Sequence, residues 1–136
     1  MQEKILPANM PSVCALSYLG DARHSLFVRH MLVGRGLSKS RDLNRAALDF
    51  VTAEAQASAY LRIEAYLTEE ERDTFRRAAN NGHLNKPKHA SAKDYRTATG
   101  FEAVIGMLTW LGDEERIIYL LNKAYENGGN ENDTEN

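Results

Sequence analysis

No stretch of this 136-residue chain alternates apolar and polar residues as a half-buried strand does, and no Asn-Gly turn joins two apolar runs. Apolar residues recur instead at helical spacings, in segments that open on a capping residue and close on glycine. The expectation is an all-α fold. A first helix is predicted from Pro11 or Ser12 to Leu32, stopped by "VGRG". A second helical region, Ser40 to Leu67, reads as one helix or two. The third segment, "TEEERDTFRRAANNG", opens on a Thr68–Glu71 capping box, places acids in its first turn and bases in its last, and stops at Asn81-Gly82. After the loop "NNGHLNKPKHA", a fourth helix starts behind a Ser91–Asp94 cap and ends at Gly112, and a last one is capped by Asp113. Residues 1–127 are expected to form one domain. Residues 128–136, made of Gly, Asn, Thr and acids, are expected to be a disordered acidic tail.

Charge is unevenly placed. The net value is −2, but the last eleven residues hold four acids and no base, leaving 17 bases against 15 acids in residues 1–125. From Arg76 to Arg96 there are six Lys or Arg residues and two histidines against the single acid Asp94. His83 and His89 in that stretch read as surface histidines, since no cysteine accompanies them to complete a zinc site. No apolar run approaches the roughly 18 residues of a membrane span, and the N-terminus carries no export signal, so a cytoplasmic protein is expected. Cys14, the only cysteine, excludes an internal disulfide and reads as a small core residue.

Two helices each carry one acid at the edge of their apolar face. With Leu16 as origin and about 100° per residue, Leu19, Gly20, Phe27 and Met31 share the apolar side, while Asp21 stands about 140° away with Ser17 and Ser25. In the fourth segment Phe101, Val104, Ile105 and Leu108 form the apolar side, and Glu102 lies beside it, flanked by Thr99 and Gly106. An acid in such a place is most often solvated surface. Gly20-Asp21 is nonetheless an odd pair to find inside a helix, because both residues disfavour that conformation.

"YLGDA" in the first helix and "TGFEAVIGML" in the fourth, with Tyr95-Arg96 before the second and "FVRH" after the first, resemble the paired signatures of the ribonuclease III catalytic domain. From about Ser12 to Asn127 the chain is similar to the compact Mini-ribonuclease III type, which lacks the appended double-stranded-RNA-binding domain; 136 residues leave no room for one. The resemblance implies a homodimer that hydrolyses double-stranded RNA, with precursor ribosomal RNA (the 23S precursor) as substrate. It implies Asp21 and Glu102 as catalytic carboxylates and ligands of Mg²⁺, with Mn²⁺ as an alternative. Ser17 and Thr99 occupy the places where full-length relatives carry two further acids, as the short type commonly does, and are assigned an auxiliary role. "GDARHS" replaces the frequent "GDAVYE", and "RRAANNGH" keeps Arg77 and Asn80 while losing an arginine to Ala79.

Duplex RNA is recognised mainly through phosphates, 2′-hydroxyls and shape. Arg77, Lys86 and Lys88 are the candidate RNA contacts, salt-sensitive by nature. Phe101, Met107 and Trp110 read as core or dimer interface, not as base-stacking platforms. Two further readings remain open: a catalytically inactive ribonuclease III-like dimer that binds structured RNA, and a plain helical interaction module.

Overall fold

In a computed structural model, residues 7–81 and 91–134 are described, with side chains to Tyr125. They form six α-helices, with no strand among the described residues: α1 (Val13–Gly34), α2 (Ser40–Val51), α3 (Ala53–Ile63), α4 (Glu69–Ala79), α5 (Ala92–Leu111) and α6 (Glu114–Thr134). A 3₁₀ turn, Glu64–Tyr66, links α3 to α4. The all-α expectation holds.

The caps written into the sequence are made. Ser12 Oγ accepts from Ala15 N at 3.1 Å, and Ser91 Oγ accepts from Asp94 N at 3.0 Å. The Thr68–Glu71 box closes reciprocally, at 3.2 and 2.8 Å. The region from Ser40 to Leu67 resolves into two helices because Thr52 is extended (φ −70°, ψ 158°) and spends its side chain capping α3 through Ala55 N. At the other end, α6 carries helical backbone to Thr134, past the point where the sequence reading ended its last helix. The basic loop, with Lys86 and Lys88, lies outside the described residues.

Helix α5 is the centre of the molecule. From Ala98 to Leu108 every residue but Glu102 is buried, so the helix is covered on all sides. Around it a single core gathers Leu16 of α1, Tyr60 and Ile63 of α3, Ala78 of α4, and Ile117, Leu120 and Leu121 of α6. The buried row of α1 is Leu16, Gly20, His24, Val28 and Leu32. That is a strict four-residue ridge, the element of ridges-into-grooves packing. Leu19, Phe27 and Met31, expected on the apolar side, are only half-buried, while His24 and Val28 are wholly inside. Cys14 is exposed, against the expectation of a core residue, because it stands on the side of α1 opposite Leu16. Phe101 and Met107 are core as expected, whereas Trp110 is 56% exposed.

Glu71 and Arg116 lock the lower part of the bundle. The guanidinium grips both carboxylate oxygens of Glu71 at 2.9 Å and donates to Tyr66 O at 2.7 Å. Glu71 is almost wholly buried, and a charge so placed demands this kind of two-pronged partner.

Candidate active site

Helices α1 and α5 cross backbone against backbone. A Cβ added to Gly20 would lie 1.7 Å from the carbonyl oxygen of Glu102, and one added to Gly106 would lie 1.8 Å from that of Leu16. Any side chain at either position would hold the helices apart. The glycine beside Asp21 is therefore the condition for the close crossing, and it answers why a poor helix former sits in mid-helix.

The crossing brings together two carboxyl groups from residues 81 positions apart in sequence: the side chains of Asp21 and Glu102 are hydrogen-bonded to each other. Burial, first, and then the neighbouring Asp21, through its charge and its hydrogen bond, push Glu102 up to about 8. Asp21 is the more exposed partner. Two adjoining carboxylates cannot both hold full charge without a cation between them, so the pair keeps a proton when nothing else neutralises it.

A third helix reaches the same point. Gln56, in the first turn of α3 and 2% exposed, stands beside Glu102 and opposes the rise in its pKa. Its Nε2 also donates to Val51 O at 3.2 Å. Gln56 was missed in the sequence, though a signal was present: a lone amide one and two turns ahead of Tyr60 and Ile63 on the apolar stripe of α3.

Ser17 and Thr99 lie beside each other, one turn ahead of the acids, and both are buried. Their hydroxyl protons are committed to backbone: Ser17 Oγ donates to Thr99 O and Thr99 Oγ1 to Tyr95 O, each at 2.9 Å. Arg77 stands on the exposed side of α4 with Asp73 3.9 Å away.

The residues that depart from "GDAVYE" have clear places. Arg23 pairs with Glu114 of α6 at 2.7 Å. His24 is fully buried, edge-on to Phe101, with Nε2 2.5 Å from the Tyr125 hydroxyl. Burial, outweighing the charge of Asp21, lowers it to about 4, so it is neutral at physiological pH. Ser25 faces outward into a cleft of about 350 Å³ between α1 and α2, lined also by Asp21, Arg29, Asn44, Leu48 and Val51. Arg29, two turns beyond Asp21 on the same side of α1, is exposed there and is a second feature that sequence reasoning passed over.

Among the described residues no group of three or more acids, histidines or cysteines is placed to hold a metal ion. Two carboxylates without nitrogen or sulfur suit a hard cation such as Mg²⁺, which keeps several waters and takes one or two protein carboxylates alongside phosphate oxygens. The raised pKa of Glu102 beside Asp21 marks the spot where such a charge would be welcome, and the donor set fits.

Comparison with known proteins points the same way. Residues 15–113 match the profile of the Ribonuclease III domain. The chain is similar to a Mini-ribonuclease 3 of Brevibacillus brevis, 40% identical over 86% of this chain and 87% of the relative. It is equally similar to one from Symbiobacterium thermophilum, 41% identical over 87% and 90%. The crystal structure of protein FN1578 from Fusobacterium nucleatum superposes with a TM-score of 0.77 at 30% identity, over 85% of this chain and 93% of that one.

Proposed function

Since the chain belongs to the ribonuclease III family, in its Mini-ribonuclease 3 form, and is an endoribonuclease, we propose that it cuts double-stranded RNA with a divalent cation held by Asp21 and Glu102. Mg²⁺ is the first candidate and Mn²⁺ the second. The observation that carries this reading is the hydrogen-bonded carboxyl pair at the α1–α5 crossing, with Glu102 raised to about 8.

In this mechanism Asp21, the exposed member lining the cleft, and the less exposed Glu102 would together hold the cation. When bound, the cation lowers the pKa of a coordinated water, providing the nucleophile, and neutralises charge on the leaving 3′ oxygen. To hold a cation Glu102 would have to give up its proton, so binding would release a proton near neutral pH. Ser17 and Thr99 act at one remove, pinning α1 to α5 beneath the acids. Arg29 lies where a phosphate of the strand beside Asp21 would pass, and Arg77, Lys86 and Lys88 supply further backbone contacts. Cationic contacts to phosphate suit recognition by A-form shape.

The substrate reading is a precursor of ribosomal RNA, the 23S precursor first. The assembly reading is a homodimer: exposed Tyr18, Leu26 and Trp110, on α1 and α5, are the apolar surface a two-fold partner would cover. No described helix is long and apolar enough to cross a membrane, and we place the protein in the cytoplasm. Residues 1–127 act as the catalytic unit.

The test is incubation with an RNA duplex, with and without Mg²⁺, for the parent and for Asp21→Asn. Metal-dependent cutting that disappears in the variant supports the nuclease. Salt-sensitive binding without cutting favours the alternative, an inactive ribonuclease III-like dimer that holds structured RNA.

A further inference from the structure

The amide of Gln56 raises a question that packing does not answer. It is 2% exposed, and its Oε1 has no hydrogen-bond partner. The amide nitrogen faces Val51 O at 3.2 Å, and the oxygen is left unpaired. An unpaired buried carbonyl carries a desolvation penalty that an apolar side chain of the same shape would not incur. Stability alone therefore does not explain a glutamine here.

What the amide achieves is geometric. The terminal torsion of a glutamate is broad and loosely defined, so an unassisted Glu102 carboxylate would swing between orientations. Gln56, fixed to Val51 O at the corner between α2 and α3 and standing beside Glu102, is placed to hold one oxygen of that carboxylate through the same nitrogen. The remaining lone pairs of Glu102 are left facing Asp21. Val51 also lines the cleft beside Asp21, so one side chain fixes the cleft wall and the buried acid together.

We propose that Gln56 is a positioning residue for the cation site: its two N–H groups, bridging Val51 O and the Glu102 carboxylate, hold Glu102 in the orientation in which it and Asp21 grip one divalent ion. The inference rests on the reading of Asp21 and Glu102 as ligands and adds a residue from a third helix to it. Hydrogen bonds of this kind, one step behind a ligand, typically account for 10- to 100-fold in metal affinity.

The experiment titrates Mn²⁺ into the RNA-free, full-length protein and follows the free ion by electron paramagnetic resonance, for the parent, Asp21→Asn, Gln56→Met and Gln56→Asn, with thermal melts of each. Gln56→Met keeps the shape and removes both donors, whereas Gln56→Asn keeps the amide but draws it back by one methylene. The expected result is roughly 10- to 100-fold weaker Mn²⁺ binding in both Gln56 variants, with a melting temperature within a few degrees of the parent's and metal-free duplex binding unchanged. Should Gln56→Met fail to fold, the Gln56→Asn titration decides. Mn²⁺ affinity within twofold of the parent in a folded Gln56 variant overturns the inference and leaves the acid pair standing. If Asp21→Asn binds Mn²⁺ as the parent does, both the acid-pair reading and this one fall.

Discussion

Replacing Gly20 by alanine tests whether the α1–α5 crossing creates the site. The added Cβ would lie 1.7 Å from Glu102 O and 2.8 Å from Gly106 N, both backbone atoms that no rotamer change can move away. Ordinary contact needs roughly 3.5 Å, so the helix backbones must part by between one and two ångström. Overpacking of this kind costs about 1–3 kcal/mol, and a backbone-to-backbone clash belongs at the upper end. Alanine regains about 1 kcal/mol in helix propensity, leaving a net loss of about 2 kcal/mol. For a chain of this size that corresponds to a fall in melting temperature of roughly 8 °C. The same displacement separates Asp21 from Glu102, and a shift of about 1 Å at a reacting centre is worth about a hundredfold in rate. Calorimetry, a duplex-cleavage assay and the Mn²⁺ titration on one preparation measure these effects. Gly34→Ala is the control, since a Cβ there meets nothing within 4 Å. It should melt at or slightly above the parent. A Gly20→Ala protein with the parent's melting temperature and Mn²⁺ affinity would refute the idea that backbone contact makes the site.

Titration should show the cost of the acid pair. Without metal the folded state holds the Glu102 proton up to about pH 8, whereas a free glutamate loses it near 4.5. The folded chain then binds more protons across that window, so stability falls as pH rises through it; the melting temperature in EDTA should drop between pH 6.5 and 8, and Glu102→Gln or added Mg²⁺ should abolish the drop. His24 has the opposite sign. Its folded value of about 4 lies below 6.5, so its contribution, about 3 kcal/mol, is present above pH 6.5 and is lost as pH falls towards 4; His24→Gln should flatten the acid limb of a melting-temperature profile. Arg116→Met would strand the buried Glu71 carboxylate and should cost about 3–5 kcal/mol in urea unfolding, with the double variant Arg116→Met, Glu71→Gln recovering most of it.

What the sequence could and could not reveal divides along one physical line. Helix ends are local: Ser12, Thr68 and Ser91 cap donors three residues ahead, so four residues of sequence contain the whole interaction. The pairing of Asp21 with Glu102 was legible only through the resemblance of two short motifs, because neither helix by itself says which side of it another helix will cover. The buried ridge of α1 shows the limit. A hydropathy wheel favours Leu19, Phe27 and Met31, but packing against α5 selects the four-residue row that includes Gly20 and the polar His24. Hydropathy could not foresee a histidine as core, since its burial depends on Phe101 and on the hydroxyl of Tyr125, about a hundred residues downstream. Gln56 is the harder case: its donors act on a carbonyl five residues away and on a carboxylate from another helix. Such a residue looks like a blemish in an apolar stripe until the tertiary structure supplies both acceptors. Polar interruptions of a buried face are thus where local reading fails and function concentrates, because only a requirement outside stability keeps a poorly satisfied group there.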